Sequence, residues 1–280
     1  MRVRWFSMML PWVLVFGCGD KEDTGAVEAD ADTDSDSDTD TDTDTDTDSD
    51  TDSDSVSLDG TVAYVDGTAI ENTSVRVQMC GQLGCIPAQL DGDNFSYLAL
   101  GEGTYAFDVV PLIDGEYATP LDFLTLSVAD GDRVLEGTVG IPSYEAVTAV
   151  QETTLEAGNL MIHIDPAGYT APSDDSEASY VGAVSVDPGM SGLEFDLVEG
   201  TIVAAWYLGA FRATIDPGWE FEVSGLDVAP GTELRVYNAH YENYGWSDRG
   251  TVTVGDDGAI DSSVDGVTIA YLATLILVQE

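Results

Sequence analysis

From Val56 onward, apolar and polar residues alternate in short runs. Val75 and Val77 alternate with Arg76 and Gln78, and Tyr105, Phe107 and Val109 alternate with Ala106 and Asp108. This period of two puts one set of side chains on the inner face of a half-buried strand. The runs are rich in Val, Thr, Tyr and Phe and stop at glycines. Asp-Gly pairs recur at Asp59-Gly60, Asp66-Gly67, Asp91-Gly92, Asp114-Gly115, Asp130-Gly131, Asp257-Gly258 and Asp265-Gly266, a dipeptide suited to tight turns because it tolerates positive φ. No long amphipathic helix can be read. The pattern predicts an all-β fold of one or two antiparallel β-sandwich domains.

The first section, 56–141, is expected to add strands at Leu121 to Ala129 and Arg133 to Ile141, with a boundary near Pro142 to Tyr144. The second, 145–280, should contain strands at Leu160 to Ile164, Tyr180 to Val186, Thr201 to Trp206, Trp219 to Val223, Glu233 to Ala239, Gly250 to Val254 and Val267 to Val278. The last run, VTIAYLATLILV, is apolar on both faces and reads as a central strand. It is too short for a membrane-spanning helix.

Before Val56 the pattern changes. From Asp32 to Asp54 an Asp stands at every second position with only Thr or Ser between. A strand built from it would bury nothing to offset its ordering entropy. Asp neighbours on one face, about 7 Å apart, would repel by roughly 0.6 kcal/mol per pair even in water. Residues 18–55 are therefore expected to form a disordered acidic linker. A calcium loop of the EF-hand kind needs a turn Gly and a bidentate Glu, and the run has neither.

At the start, Arg2 and Arg4 precede the apolar segment Trp5 to Phe16, so residues 1–17 read as a secretory signal peptide. Val15-Phe16-Gly17-Cys18 resembles the lipobox of bacterial lipoproteins. That resemblance implies lipidation at Cys18, cleavage before it, and attachment to the membrane through the acyl chains, since stable anchoring takes more than one chain. Gly19 rather than Asp follows the Cys, which favours outer-membrane sorting, to the surface or the periplasmic face. The linker would then hold the folded part off the membrane, with a contour limit of roughly 120 Å.

The formal charge is −45, with Lys21 the only lysine. Such a balance excludes nucleic acid as a partner and argues against a second, electrostatic membrane contact. With Cys18 assigned to lipid, Cys80 and Cys85 remain in CGQLGC. Two cysteines this close in an exported chain, flanked by Gly81 and Gly84, suggest a disulfide pinning a hairpin. With only His163 and His240 in the chain, a zinc set is not indicated, and no other cofactor is expected.

In the first section, Gly60 and Val62, then Gly67, Ile70, Asn72 and Val75, then Asp91-Gly92-Asp93-Asn94-Phe95, then Leu100, Gly103, Tyr105, Phe107 and Val109 follow one another in order. From Val56 to Leu112 this resembles the carboxypeptidase regulatory-like, transthyretin-like β-sandwich. The resemblance implies an accessory module without peptidase chemistry.

The chain contains no G-x-S-x-G elbow, H-E-x-x-H helix or phosphate-binding glycine loop. His163, between Ile162 and Ile164, reads as a packed or edge-strand histidine. The densest aromatic and polar cluster is His240, Tyr241, Tyr244, Trp246, Asp248 and Arg249. Such a set suits a sugar-binding loop through ring stacking and hydrogen bonds. It equally suits a long hairpin loop capping the core. The sequence thus predicts a non-enzymatic, lipid-anchored envelope protein whose β-sandwich domain or domains serve binding: adhesion, or contact with a glycan or an envelope protein. The alternatives are a hydrolase using Asp and Glu in the second section, or a structural spacer.

Overall fold

The computed structural model describes residues 55–112, 116–173 and 175–280. The expectations for the signal peptide, Cys18 and the acidic run lie outside them. The described residues belong to one compact unit, an all-β assembly of packed, mainly antiparallel sheets.

In the first section two four-stranded sheets face each other. One has the order Gln89–Asp91, Asn94–Leu100, Val56–Tyr64, Arg133–Ile141, and the other Gly84–Pro87, Val75–Gly81, Gly103–Pro111, Leu121–Leu126. Their inner faces bury Leu58, Val62, Met79 and Phe95 together with Val75, Val77, Phe107 and Val109, four of the positions selected by the period of two; the fifth, Tyr105, is partly buried. Most Asp-Gly pairs sit at turns with the glycine at positive φ, including Gly67, Gly92, Gly131, Gly258 and Gly266. Asp59-Gly60 does not; it lies inside the strand Val56–Tyr64. A Cβ on Gly60 would meet the Phe95 ring at 2.4 Å, so close packing, not turning, requires this glycine.

The second section is built on a six-stranded sheet of order Gly245–Thr253, Glu233–His240, Thr274–Gln279, Thr201–Gly209, Tyr180–Val186, Val147–Thr148. One face, with Trp206, Leu208, Leu234, Val236, Leu275 and Leu277, packs with smaller sheets that contribute Ile162, Ile215, Trp219 and Phe221. The other face, with Ala205, Tyr207, Ile276 and Val278, joins the core of the first section. Burial on both faces explains why residues 275–278, the centre of the strand Thr274–Gln279, are continuously apolar. The expected single strand Val267 to Val278 is in fact two, Ile269–Tyr271 and Thr274–Gln279, in different sheets and separated by a bend at Leu272 and Ala273. The expected strand Trp219 to Val223 is likewise divided between Thr214–Trp219 and Phe221–Val223.

A second contact joins the sections. Cys80, Ala106, Leu121 and Phe123, on the outer face of the second sheet of the first section, cluster with Ala239, Ala273, Phe211, Tyr241 and Trp246. Gln78, Ala106 and Asp108, expected to be polar-face positions, are buried beneath this layer.

Candidate functional site

Among the described residues, the side chains best arranged to hold a ligand lie where the strand Glu233–His240 ends and the last apolar run bends. Asn238 is buried and fully used. Its amide nitrogen donates to the carbonyls of Tyr271 at 3.0 Å and Thr274 at 3.2 Å, and its side-chain oxygen accepts from the backbone N–H groups of Ala270 at 3.2 Å and Tyr271 at 2.9 Å. One side chain therefore satisfies the backbone that the bend leaves unpaired. The bend is fixed from its other side by Leu272 N–H donating to Ala213 O at 2.9 Å and Arg212 N–H donating to Leu272 O at 3.1 Å.

This scaffold sets Tyr271 against His240, ring planes 15° apart and centroids 4.0 Å apart. His240 Nδ1 also meets the Asn243 amide at 2.6 Å. Burial lowers the His240 pKa, an effect opposed by Glu242 and reinforced by Arg249, so the imidazole is neutral at pH 7. Next to it, the Arg212 guanidinium lies 3.9 Å over the Tyr241 ring and 5.1 Å from that of Phe211, an arrangement worth about 0.5–2 kcal/mol depending on desolvation. The Tyr241 hydroxyl is pushed up to about 12, first by burial and then by the nearby Asp108. It stays protonated and can donate. Together Thr170, Arg212, His240, Tyr241, Glu242 and Tyr271 line a cleft of about 300 Å³, at the small end of the range for ligand pockets.

The six residues singled out in the sequence do not form one surface. The strands Glu233–His240 and Gly245–Thr253 pair down to His240 and Gly245, so the expected loop is a hairpin with a short turn at Tyr241–Asn243. His240 and Tyr241 reach the cleft. Tyr244 caps the turn in the left-handed region, its ring 6.4 Å from that of Tyr241. Trp246 points into the junction, edge-on to Phe123 at 5.5 Å and 6.0 Å from Phe195. Asp248 pairs with Arg235 at 2.5 Å, and Arg249 Nε donates to Thr268 O at 3.0 Å. Sequence reasoning missed Arg212, Asn238 and Tyr271. The available signal was Arg212 as a lone cation inside the apolar run WYLGAFRATI.

Cys80 and Cys85 are disulfide-bonded as a cross-strand pair in a hairpin turning at Gln82 and Leu83. His163 lies on a strand, half exposed, with Nε2 3.0 Å from Glu222. It borders an open depression of about 820 Å³ that also includes Glu152, Asp165 and Glu220. Among the described residues no group of three or more His, Cys, Asp or Glu could hold a metal ion, and no helix is long and apolar enough to cross a membrane.

Fold and cleft together define an all-β sandwich protein with an aromatic-lined surface cleft. No family model matches the chain, and no curated protein matches it. Among solved structures it is similar to a DUF3823 family protein from Bacteroides ovatus, with 12% identity over 80% of this chain and 81% of that chain and a TM-score of 0.23. At that score the likeness carries no argument, and the β-sandwich class rests on the strands and their pairing.

Proposed function

We propose that this is a non-enzymatic surface protein, attached to the outer membrane through a lipid on Cys18 and a spacer of alternating aspartates, whose β-sandwich binds a glycan. The lipobox-like Val15 to Cys18 and the transthyretin-like order of residues between Val56 and Leu112 support the anchor and the module. The observation that carries the binding reading is the cleft in which Tyr271, His240 and Tyr241 sit beside the Arg212 guanidinium. Aromatic rings offer a stacking surface to the apolar face of a sugar, and the neighbouring polar groups take its hydroxyls. The charge of −45 disfavours acidic polysaccharides by long-range repulsion, so a neutral glycan fits best. Screening neutral polysaccharides against the protein and its Tyr271→Ala variant tests the reading. Anchoring is tested separately by globomycin-sensitive processing and by loss of membrane attachment in Cys18→Ser.

A further inference from the structure

The cross-strand disulfide lies beside a buried acid. Cys80 is fully buried and Cys85 is exposed. The Asp108 carboxyl, wholly inside the protein, has Oδ2 3.9 Å from Cys80 Sγ and Oδ1 without a hydrogen-bond partner. The Tyr241 hydroxyl donates to Cys80 Sγ at 2.8 Å and also lies 3.1 Å from Cys85 Sγ. We propose that Cys80–Cys85 is a thiol–disulfide exchange site, opened by an external dithiol at Cys85, with Asp108 as the acid that protonates the departing Cys80 sulfur.

Burial dictates the direction of attack, since only the Cys85 sulfur can be approached from solvent. A thiolate of the dithiol bonds to Cys85 Sγ, the Cys80–Cys85 bond breaks, and its electron pair goes to Cys80 Sγ. That sulfur takes the Asp108 proton, leaving a carboxylate, while the Tyr241 hydroxyl donates a hydrogen bond to the charge as it develops. The second thiolate of the reagent then attacks its own sulfur in the mixed disulfide. This forms the oxidised cyclic reagent and expels the Cys85 thiolate, which is protonated by water. The dithiol loses two electrons and the cysteine pair gains them.

Asp108 holds its proton in the required range because burial pushes its pKa up to about 7, against the lowering effects of Arg212, Gln78 and Arg76. The other groups within electrostatic reach are the phenols of Tyr241 and Tyr97, both raised by burial and neutral. None of this depends on what the neighbouring cleft binds.

The test is reduction of the intact protein by dithiothreitol, with the thiols trapped by iodoacetamide and counted by mass spectrometry from about pH 5 to about pH 9. Expressed per reagent thiolate, the rate constant should fall on the order of tenfold to a hundredfold as pH rises through the Asp108 transition. Asp108→Asn should be slow throughout with no such fall, whereas Tyr241→Phe should be slower but keep it. Glutathione should form its adduct on Cys85 alone. A flat wild-type profile, an Asp108→Asn profile equal to wild type, or an adduct on Cys80 would overturn the proposal. If circular dichroism shows that Asp108→Asn does not fold, the wild-type profile and the adduct position decide.

Discussion

The Asp122 carboxylate accepts the backbone N–H of Phe195 at 2.8 Å, across 73 residues of sequence, and that of Phe123 at 2.7 Å. A residue of the first section thereby fixes a segment of the second. Arg133 pairs with Glu194 and Asp196 on either side of the same Phe195. With two apolar clusters also shared, the sections bury too much common surface to come apart independently.

Unfolding should therefore be a single transition. The tryptophans of the folded part, Trp206, Trp219 and Trp246, all lie in the second section, Trp206 and Trp219 within its core and Trp246 at the junction, so their fluorescence reports mainly that section while far-ultraviolet circular dichroism reports both. The two urea curves should coincide. A circular dichroism transition at lower urea than the main fluorescence transition would show the first section melting by itself.

Stability should depend on pH through two buried acids. Burial pushes Asp108 and Asp122 up to about 7, against an unfolded value of about 3.9. Between those values the folded state binds more protons than the unfolded one. Their contribution is fully present below about pH 4 and is lost as pH rises through 7. It should amount to a few kcal/mol at most for each group. Asp108→Asn, neutral at every pH, should flatten the fall between pH 5 and about pH 8 in urea titrations. An unchanged slope would remove Asp108 from the account.

Trp246→Ala should cost stability and spare binding. The indole fills the junction against Phe123 and Phe195 and does not line the cleft. A loss of about 3 kcal/mol is expected by chemical denaturation, with ligand affinity at low temperature unchanged.

Gly182→Ala should displace Tyr144. Gly182 and Gly209 are register partners, and a Cβ would meet the Tyr144 ring at 2.1 Å from Gly182 and the Tyr144 hydroxyl at 2.3 Å from Gly209. The aromatic ring fills the space that the two missing side chains leave. The substitution should lower stability by about 1–3 kcal/mol, read as a drop in the thermal midpoint, and Tyr144→Ala in the same background should recover part of it.

Much of this architecture was legible in the residues. Leu160–Ile164 and Tyr180–Val186 fall where alternation placed them, and the disulfide joins the two cysteines that the hairpin reading paired. The misreadings share one physical cause. A period of two identifies the inner face of a strand but cannot say whether another layer covers the outer one. Gln78, Ala106 and Asp108 therefore read as solvent-facing although they are buried. The break in the last apolar run was hidden for a related reason, because the residue that stabilises the bend, Asn238, lies 33 positions from Tyr271 in sequence. The cleft was half visible: His240 and Tyr241 are adjacent in the chain, whereas Arg212 and Tyr271 reach them only through that bend.

The central claim is that the cleft at Tyr271, His240 and Tyr241 takes a neutral glycan. The most direct test is an oligosaccharide array probed with the wild-type protein, Tyr271→Ala and Trp246→Ala, with hits measured by calorimetry. Wild type and Trp246→Ala should bind the same neutral glycan, and Tyr271→Ala should bind it about tenfold more weakly, the equivalent of roughly 1.4 kcal/mol. Absence of any neutral hit, or equal affinity in Tyr271→Ala, would contradict the claim.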